Sequence, residues 1–175
     1  MANGEKDLVL EELENGVMRL ILNDEKRRNA LSENMLDALH EKIMDSAKNP
    51  KIRVVIISAK GPVFCAGHDL KEITQARDYK DGGIIYFQNL FDKCSEVMKG
   101  IVTNPKPVIA EVNGIATAAG CQLVASCDLA IASDASKFAT PGVNIGLFCS
   151  TPMVALSRNI SNNCLLYTSD AADDG

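Results

Sequence analysis

Residues 105 to 133 constrain the fold more than any other part of the chain. Their sequence, PKPVIAEVNGIATAAGCQLVASCDLAIAS, has two short apolar runs, Val108–Val112 and Leu129–Ala132, on either side of a segment rich in Gly and Ala. Short apolar runs bounded by Gly or Pro are typical of buried strands. Between them, residues 118–126 contain no proline and begin with small residues, which predicts a helix that opens directly from a tight turn. This succession of strand, helix and strand is typical of an α/β protein.

The N-terminal third predicts a hairpin and then an amphipathic helix. Residues 8–13 and Val17–Leu22 are two apolar runs separated by a short segment that contains Asn15 and Gly16, which favours a β-hairpin. Ser32 is the predicted N-cap of a helix that runs to about Lys48. The predicted buried face of this helix carries apolar residues at helical spacing: Met35, Leu36, Leu39, Ile43 and Met44.

The middle third predicts one strand and two helices. The run RVVIIS over residues 53–58 is almost continuously β-branched, as in a strand covered on both faces. Asp69 is the predicted cap of a short helix that runs through Ile73, and the charged, glycine-containing residues 75–83 predict a loop. Apolar residues at helical spacing predict a longer helix over residues 84–101. Strands and helices therefore alternate, which predicts an α/β fold with mostly parallel strand pairing.

Composition narrows the class of protein. The length of 175 residues fits one domain, and the 46% hydrophobic and 23% charged residues are near the averages for a globular protein. A net charge of −5 argues against a nucleic-acid partner or an anionic membrane surface, and no apolar run is long enough to span a membrane. The six cysteines form no CxxC pair and only two histidines are present, so no metal site is expected and a reducing compartment is favoured.

Four motifs resemble the crotonase (enoyl-CoA hydratase/isomerase) superfamily. In chain order they are RRNALSENMLDAL, GPVFCAGHDLKEI, VNGIATAAGCQLVASCDLAIAS and KFATPGVNIGL. The resemblance covers roughly residues 8–158 and implies the ββα spiral fold of that superfamily, which is also the fold of ClpP. It further implies a protein of fatty-acid metabolism in the mitochondrial matrix that binds acyl-CoA thioesters. CoA would enter as part of the substrate and no separate cofactor is implied.

The C-terminal end departs from the family pattern. Family chains are longer, so the resemblance implies that residues 1–160 form a spiral domain truncated before the C-terminal helices, which complete the acyl pocket and help to build trimers or hexamers. Apolar surface is then expected to be exposed. Residues 161–175, SNNCLLYTSDAADDG, change composition abruptly and are expected to be a disordered or non-native tail.

The resemblance implies an oxyanion hole made by the backbone N–H groups of His68 and Ala119, which would bind the thioester carbonyl oxygen. The residues themselves point the same way, because each of the two lies beside a glycine-assisted turn. Ala119 also begins a predicted helix, where N–H groups are unpaired and the helix dipole is positive. The alternative is that Gly67 and Gly120 are ordinary turn and packing glycines.

Two positions differ from the family's hydratases. By the resemblance, Gln122 and Gly142 stand where those enzymes carry glutamates. Adding water to an enoyl thioester requires one group to deprotonate water and another to protonate carbon. Glutamine exchanges no proton at neutral pH and glycine has no side chain. The sequence therefore predicts thioester binding and argues against hydratase activity.

Other chemistry stays open at this point. His68 with the adjacent Asp69 could act as an acid or base or orient a polar acyl group; alternatively, Asp69 caps its helix and His68 only lines the pocket wall. The AGHD and TPGVNIG segments also resemble the methylmalonyl-CoA decarboxylase branch, whose chemistry mainly needs an oxyanion hole for the enolate. A non-catalytic acyl-CoA-binding or regulatory protein is the third reading.

The resemblance also assigns a CoA-binding set. Its members are Asn29, Ala30, Leu31, Asp69, Leu70, Lys71 and Gly120. The first three match the segment whose backbone cups the adenine, and Leu70 and Lys71 match the pantetheine side. Arg27 and Arg28 could reach the phosphates, with a solvated basic loop as the alternative.

Overall fold

The structure, a computed structural model, describes residues 7–145 and 148–161. The strands are β1 (Val9–Glu14), β2 (Val17–Leu22), β3 (Val54–Ala59), β4 (Val63–Cys65), β5 (Val108–Val112), β6 (Ile115–Thr117), β7 (Leu129–Ala132) and β8 (Lys137–Ala139). The helices are α1 (Glu33–Lys48), α2 (Leu70–Ala76), α3 (Ile84–Val102), α4 (Ala119–Ser126) and α5 (Ser150–Asn159), with 3-10 turns at Glu25–Arg27 and Pro141–Ile145. Apart from Ser161, the predicted tail lies outside the described residues.

Two sheets organise the chain. The larger has the strand order β1-β2-β3-β5-β7, in which only the β1–β2 hairpin is antiparallel. The smaller has the order β4-β6-β8 and is parallel throughout. The predicted α/β class with mostly parallel pairing is confirmed. The smaller sheet was not predicted, because its strands are only three residues long and lack the apolar runs that mark β3 and β5.

Helix α1 begins at the predicted N-cap, but one of the residues predicted to lie on its buried face is exposed. The Ser32 hydroxyl accepts a hydrogen bond from the Met35 N–H at 3.2 Å, which caps the helix. Four of the five predicted core residues are fully buried: Met35, Leu36, Leu39 and Ile43. The prediction for Met44 is wrong, since its side chain is 37% exposed. Its sulfur lies at the edge of the contact between α1 and α3, close to Gly100.

The prediction that α4 opens directly from a tight turn is wrong, because a strand of the smaller sheet lies between the turn and the helix. Strand β6 separates the turn at Gly114, whose φ is +95°, from the helix. The helix therefore does not open directly from that turn. The sharp change of direction falls instead at Ala118, with φ 50° and ψ −120°. Farther upstream, α2 continues to Ala76, three residues past its predicted end.

Strand β7 is in the predicted position but is not buried. Leu129 and Ile131 are 62% and 64% exposed. The strand lies at the edge of the larger sheet, paired only with β5, and no other described element covers its side chains. The expectation that apolar surface is exposed is met at this edge.

Buried cysteines fill parts of the core. Cys65, Cys121 and Cys127 are all less than 10% exposed, as their apolar sequence contexts predict. Burial raises the pKa of the Cys65 thiol to about 12 and that of Cys127 to about 12. Both thiols are therefore protonated at neutral pH and act as small apolar side chains.

Membrane-spanning helices and clusters of potential metal ligands are both absent from the described ranges. No helix there is long and apolar enough to cross a membrane. The same residues contain no group of three or more His, Cys, Asp or Glu side chains that could hold a metal ion.

Candidate functional site

The smaller sheet brings the two predicted oxyanion segments side by side. Strand β4 pairs with β6, with Cys65 opposite Ala116. At the end of β6, the Thr117 hydroxyl donates a hydrogen bond to the carbonyl of Ala66, the residue after β4, at 3.1 Å. The Ala118 N–H donates to the Ala139 carbonyl at 2.9 Å, which ties the start of α4 to β8. Parallel pairing therefore places the chain after β4 against the N-terminus of α4.

Two glycines let these backbones approach closely. Gly67 has φ +88°, and a Cβ there would lie 3.3 Å from the Ala119 nitrogen and 3.0 Å from the Ala118 Cβ. A Cβ on Gly120 would lie 2.3 Å from the Cys65 carbonyl oxygen, which is closer than real Cβ contacts come. Gly120 therefore needs glycine for packing, whereas Gly67 is favoured mainly by its left-handed backbone. The sequence's packing interpretation and its oxyanion interpretation are compatible, because the packing is what brings the two segments together.

The backbone donors at this contact have no protein acceptor. Ala119 is the first residue of α4, so its N–H has no acceptor within the helix. Among the described residues, no group accepts a hydrogen bond from the N–H of His68 or of Ala119. Ala118, directly before this helix, has a positive φ that non-glycine residues rarely adopt. Strained backbone of this kind is characteristic of ligand-binding turns.

The His68 residue is half-buried, and both of its ring nitrogens are shielded from solvent. Its ring packs edge-on against Phe91, with centroids 5.7 Å apart and an interplanar angle of 86°. Neither Nδ1 nor Nε2 forms a hydrogen bond with another side chain among the described residues. Burial lowers the pKa of the ring, and the nearby Leu31 backbone offsets only part of that effect. His68 is therefore a neutral imidazole at pH 7.

Asp69 is committed to other contacts. Its carboxylate accepts a hydrogen bond from the Lys71 N–H at 2.9 Å, which caps α2 as predicted. It also lies 3.4 Å from the Arg27 guanidinium. Because neither ring nitrogen of His68 forms a hydrogen bond with another described side chain, the two adjacent side chains do not form an acid–base pair. The structure thus favours the capping interpretation of Asp69.

Gln122 lies one turn into α4 and is 8% exposed. Its N–H donates to the Ala118 carbonyl at 3.1 Å, while its side-chain Oε1 has no partner among the described residues. Gln122 and Phe91 both line a cavity of about 640 Å³ bounded by α3, α4 and α5. Gly142 lies in the 3-10 turn that follows β8 and brings no side chain to this region.

The predicted CoA-binding residues have mixed environments. The Asn29 side chain is fully buried. It accepts a hydrogen bond from the Asp24 N–H at 2.8 Å and donates to the carbonyls of Lys60 and Val63. It therefore holds its own loop in place. Leu70 is 73% exposed and Lys71 is exposed, so both are accessible. The adenine and pantetheine contacts stay predictions.

The positive charge of the loop that carries Arg27 and Arg28 is partly neutralised by nearby carboxylates. The Arg27 guanidinium lies 2.5 Å from Asp24, 3.4 Å from Asp69 and 3.9 Å from Glu72. These carboxylates occupy Arg27, so the loop interpretation fits it better than phosphate binding. Arg28 is exposed and has a left-handed backbone.

Sequence patterns missed three residues of this region. Phe91 was read as part of the apolar face of α3, yet it contacts His68 and is 47% exposed. Thr117 links the two segments. Thr140 is 3% exposed, its hydroxyl has no partner within the described part of the chain, and it directly precedes the turn that contains Gly142. No local signal distinguishes these residues from ordinary strand and helix positions.

Comparison with known proteins identifies the family. A family model described as enoyl-CoA hydratase/isomerase matches residues 12–164. The chain belongs to the enoyl-CoA hydratase/isomerase family. One curated relative is the zebrafish protein named "Enoyl-CoA hydratase domain-containing protein 3, mitochondrial", which is 54% identical over 160 residues. The alignment covers 91% of this chain and 54% of the zebrafish protein. The human protein of that name is 54% identical over 151 residues, 86% of this chain and 48% of the relative.

Solved structures confirm the crotonase-type fold of this hydratase/isomerase family member. The crystal structure of human enoyl-CoA hydratase domain-containing protein 3 superposes with a TM-score of 0.86 at 48% identity, covering 95% of this chain and 64% of that one. An enoyl-CoA hydratase from Mycobacterium smegmatis also gives 0.86 at 48% identity, covering 95% and 63%. The chain thus spans about half the length of the curated relatives it matches.

Proposed function

We propose that this family member binds acyl-CoA thioesters and that the N–H groups of His68 and Ala119 hold the thioester carbonyl oxygen. The observation that carries the proposal is the contact between the two segments. Gly67 brings the backbone before His68 against the Ala119 nitrogen, and both N–H groups lack an acceptor among the described residues. Two amide donors beside a helix N-terminus suit an oxygen that carries partial negative charge. One such donor is typically worth about 2.7–4 kcal/mol on a developing oxyanion.

The proposed function does not include hydration at ordinary rates. Gln122 and Gly142 supply no group that exchanges a proton at neutral pH. Loss of general acid or base assistance typically lowers a rate by about 10²–10⁴-fold per group. Asp69 does not compensate, because its carboxylate caps α2 and faces Arg27. We therefore propose a protein that keeps the thioester site of the family and lacks its water-adding chemistry.

Enolate chemistry is the second candidate. An enolate formed by decarboxylation carries its charge on the same thioester oxygen, so the two N–H groups alone would stabilise it. The observation in its favour is that the replaced side chains are those needed for water addition, while the proposed backbone donors are kept. A non-catalytic acyl-CoA-binding or regulatory role uses the same site without turnover.

The cellular setting is proposed from the relatives. The zebrafish and human proteins carry "mitochondrial" in their names, and we propose the mitochondrial matrix and fatty-acid metabolism for this protein as well. We also propose a homotrimer or hexamer for the whole protein. The exposed apolar side chains of β7, Leu129 and Ile131, would then be covered by further protein.

A combined binding and turnover assay tests these proposals. Calorimetry with butyryl-CoA and with free CoA measures whether the thioester adds affinity. Parallel assays with crotonyl-CoA and methylmalonyl-CoA measure hydration and decarboxylation. Tighter binding of butyryl-CoA than of CoA, without hydration at ordinary hydratase rates, is the expected result. Decarboxylation of methylmalonyl-CoA would select the enolate reading, and binding without turnover the non-catalytic one. Equal affinity for CoA and butyryl-CoA would contradict the thioester site.

A further inference from the structure

The peptide unit between Gly67 and His68 is held by a hydrogen bond on its carbonyl side. The Gly67 carbonyl accepts from the Leu31 N–H at 2.8 Å, while the His68 N–H has no acceptor among the described residues. The described residues contain no cis peptide bond. A trans peptide unit is planar, so its C=O and N–H point in opposite directions. The bond from Leu31 therefore sets the direction in which the His68 N–H points.

The same bond also strengthens the His68 donor. A hydrogen bond to a peptide carbonyl polarises the whole peptide unit, which makes its N–H a better donor. The peptide unit between Ala118 and Ala119 has the same arrangement, because the Ala118 carbonyl accepts from the Gln122 N–H at 3.1 Å. There, α4 supplies the bond from within the helix. The unit that carries the His68 N–H depends instead on Leu31, in the loop between β2 and α1.

Asn29 holds the loop that carries Leu31. Its side chain is fully buried and accepts a hydrogen bond from the Asp24 N–H at 2.8 Å. Its amide group donates to the carbonyl of Lys60, directly after β3, at 2.9 Å and to that of Val63, the first residue of β4, at 2.7 Å. Both amide hydrogens of this side chain are therefore used. The bonds fasten the loop to the strand that leads to the proposed oxyanion segment.

Backbone hydrogen bonds continue from this loop into the oxyanion segment. The Arg28 carbonyl accepts from the Ala66 N–H at 3.1 Å, and the Leu31 N–H donates to the Gly67 carbonyl. Asn29 lies between Arg28 and Leu31 in the chain and has a left-handed backbone, with φ 50°. Asparagine adopts this conformation more readily than most residues. Loss of the Asn29 side-chain bonds would therefore loosen both backbone contacts.

We propose that Asn29 is a positioning residue for the oxyanion site. It acts through the hydrogen bond from Leu31 to Gly67, which aims and polarises the His68 N–H. Its side chain donates both amide hydrogens within the protein, so it acts on the ligand indirectly. The inference rests on the proposed function, because a thioester oxygen must lie at His68 and Ala119 for the direction of one N–H to matter.

Infrared difference spectroscopy of bound butyryl-CoA, isotopically labelled at the thioester carbonyl, tests the inference. The stretching frequency of this carbonyl falls as hydrogen-bond donors polarise it, and a loss of protein stability alone does not change it. In the unaltered protein the frequency should lie below that of the free thioester in water. Asn29→Gly permits the left-handed backbone and removes the three side-chain bonds, so the fall should be smaller. Its affinity for butyryl-CoA should drop by about 2- to 10-fold, the usual worth of one hydrogen bond.

Asn104→Gly is the matched control. The Asn104 side chain also makes three hydrogen bonds, since it accepts from the Lys106 N–H and donates to the Ile43 carbonyl and the Ser46 hydroxyl. It lies in the connection between α3 and β5. Asn104→Gly should lower the melting temperature and leave the carbonyl frequency unchanged. A change in frequency as large as that in Asn29→Gly would overturn the positioning role, because it would trace the effect to stability.

The remaining outcomes separate this inference from the proposed function. If Asn29→Gly bound butyryl-CoA with the full fall in carbonyl frequency, the positioning role would be wrong and the thioester site would stand. If the unaltered protein bound butyryl-CoA without any fall in frequency, or did not bind it, both would be wrong.

A second measurement needs no variant, so it decides the matter even if Asn29→Gly does not fold. NMR compares the Leu31 amide proton of the unaltered protein with CoA bound and with butyryl-CoA bound. A thioester oxygen at the His68 N–H strengthens the bond from Leu31 to Gly67, because hydrogen bonds in a chain polarise one another. The proton should therefore move downfield with butyryl-CoA relative to CoA. The same position with both ligands would overturn the inference.

Discussion

Thr117 donates a hydrogen bond from its hydroxyl to the Ala66 carbonyl at 3.1 Å. Each of these residues lies two positions before one of the proposed donors, His68 and Ala119. The bond therefore fixes the two backbone segments against each other at the point where β4 and β6 end.

Thr117→Val tests this bond. Valine has nearly the same shape but cannot donate, so the free energy of unfolding should fall by about 0.5–1.5 kcal/mol, the usual net value of one hydrogen bond. Butyryl-CoA affinity should fall as well, because the two segments are no longer held in register. Urea denaturation and calorimetry measure the two effects. Thr117→Ser keeps the hydroxyl and should bind butyryl-CoA as tightly as the unaltered protein. If Thr117→Ser weakened binding as much as Thr117→Val, the role of the bond would be contradicted.

Gly120→Ala tests the close packing under α4. The new Cβ would lie 2.3 Å from the Cys65 carbonyl oxygen, a backbone atom that cannot swing away. We expect a loss of about 1–3 kcal/mol in stability from overpacking, together with weaker thioester binding. Thermal melting and calorimetry measure both.

Gly100→Ala is the matched control in a second helix. There the new Cβ would lie 3.3 Å from the Ile43 Cγ2, a much longer contact than the 2.3 Å at Gly120, and alanine gains about 1 kcal/mol of helix propensity over glycine. Its stability should be unchanged or higher. If Gly120→Ala were as stable as Gly100→Ala, the close approach of α4 to β4 would be wrong.

The shielded ring of His68 predicts a pH dependence of stability. Burial lowers its pKa in the folded protein below the ordinary histidine value of about 6.5. As pH falls through about 6.5 the unfolded chain takes up a proton before the folded one does, so the free energy of unfolding decreases, by at most about 1.4 kcal/mol per pH unit. The decrease ends once the pH is below the lowered pKa, and above about 6.5 the contribution is constant.

Urea denaturation between pH 5 and 7.5 measures this dependence. His68→Phe should flatten the curve over that range, and His40→Gln, which keeps His68, should not. A slope that survives in His68→Phe would assign it to other groups.

Restoring the two carboxylates tests why hydration is not expected. The double variant Gln122→Glu with Gly142→Glu should hydrate crotonyl-CoA faster than the unaltered protein. The gain should reach about 10²–10⁴-fold for each group that becomes productive. Gln88→Glu adds the same charge on the exposed face of α3 and should gain nothing. Hydration by the unaltered protein at ordinary hydratase rates would show that Gln122 and Gly142 are not decisive.

The larger elements could be predicted from the sequence because their apolar patterns are long. The hairpin, α1, α3, β3 and β5 all follow from such runs. The strands of the smaller sheet could not be predicted from the sequence. Three-residue strands such as Ile115–Thr117 are stabilised by pairing with distant segments rather than by an apolar pattern of their own. Leu129 and Ile131 show the converse, since an apolar run fixes neither which strand lies at an edge nor what covers it.

The candidate site likewise combines features that could be predicted from the sequence with features that could not. Glycine patterns around Gly67 and Gly120 pointed to a close backbone approach, and the structure has both glycines in it. The partners of Asp69 could not be foreseen, because Arg27 reaches it only through the fold of a loop 42 residues earlier. The placement of the Gln122 side chain in the cavity between α3, α4 and α5 likewise depends on how those helices pack.

The central claim is tested most directly by a crystal structure of the protein with butyryl-CoA bound. The two distances to measure run from the thioester carbonyl oxygen to the backbone nitrogens of His68 and Ala119. The account predicts that both are about 2.7–3.1 Å, the range for oxyanion-hole donors. A thioester oxygen that contacts neither nitrogen, or only one of them, would contradict it.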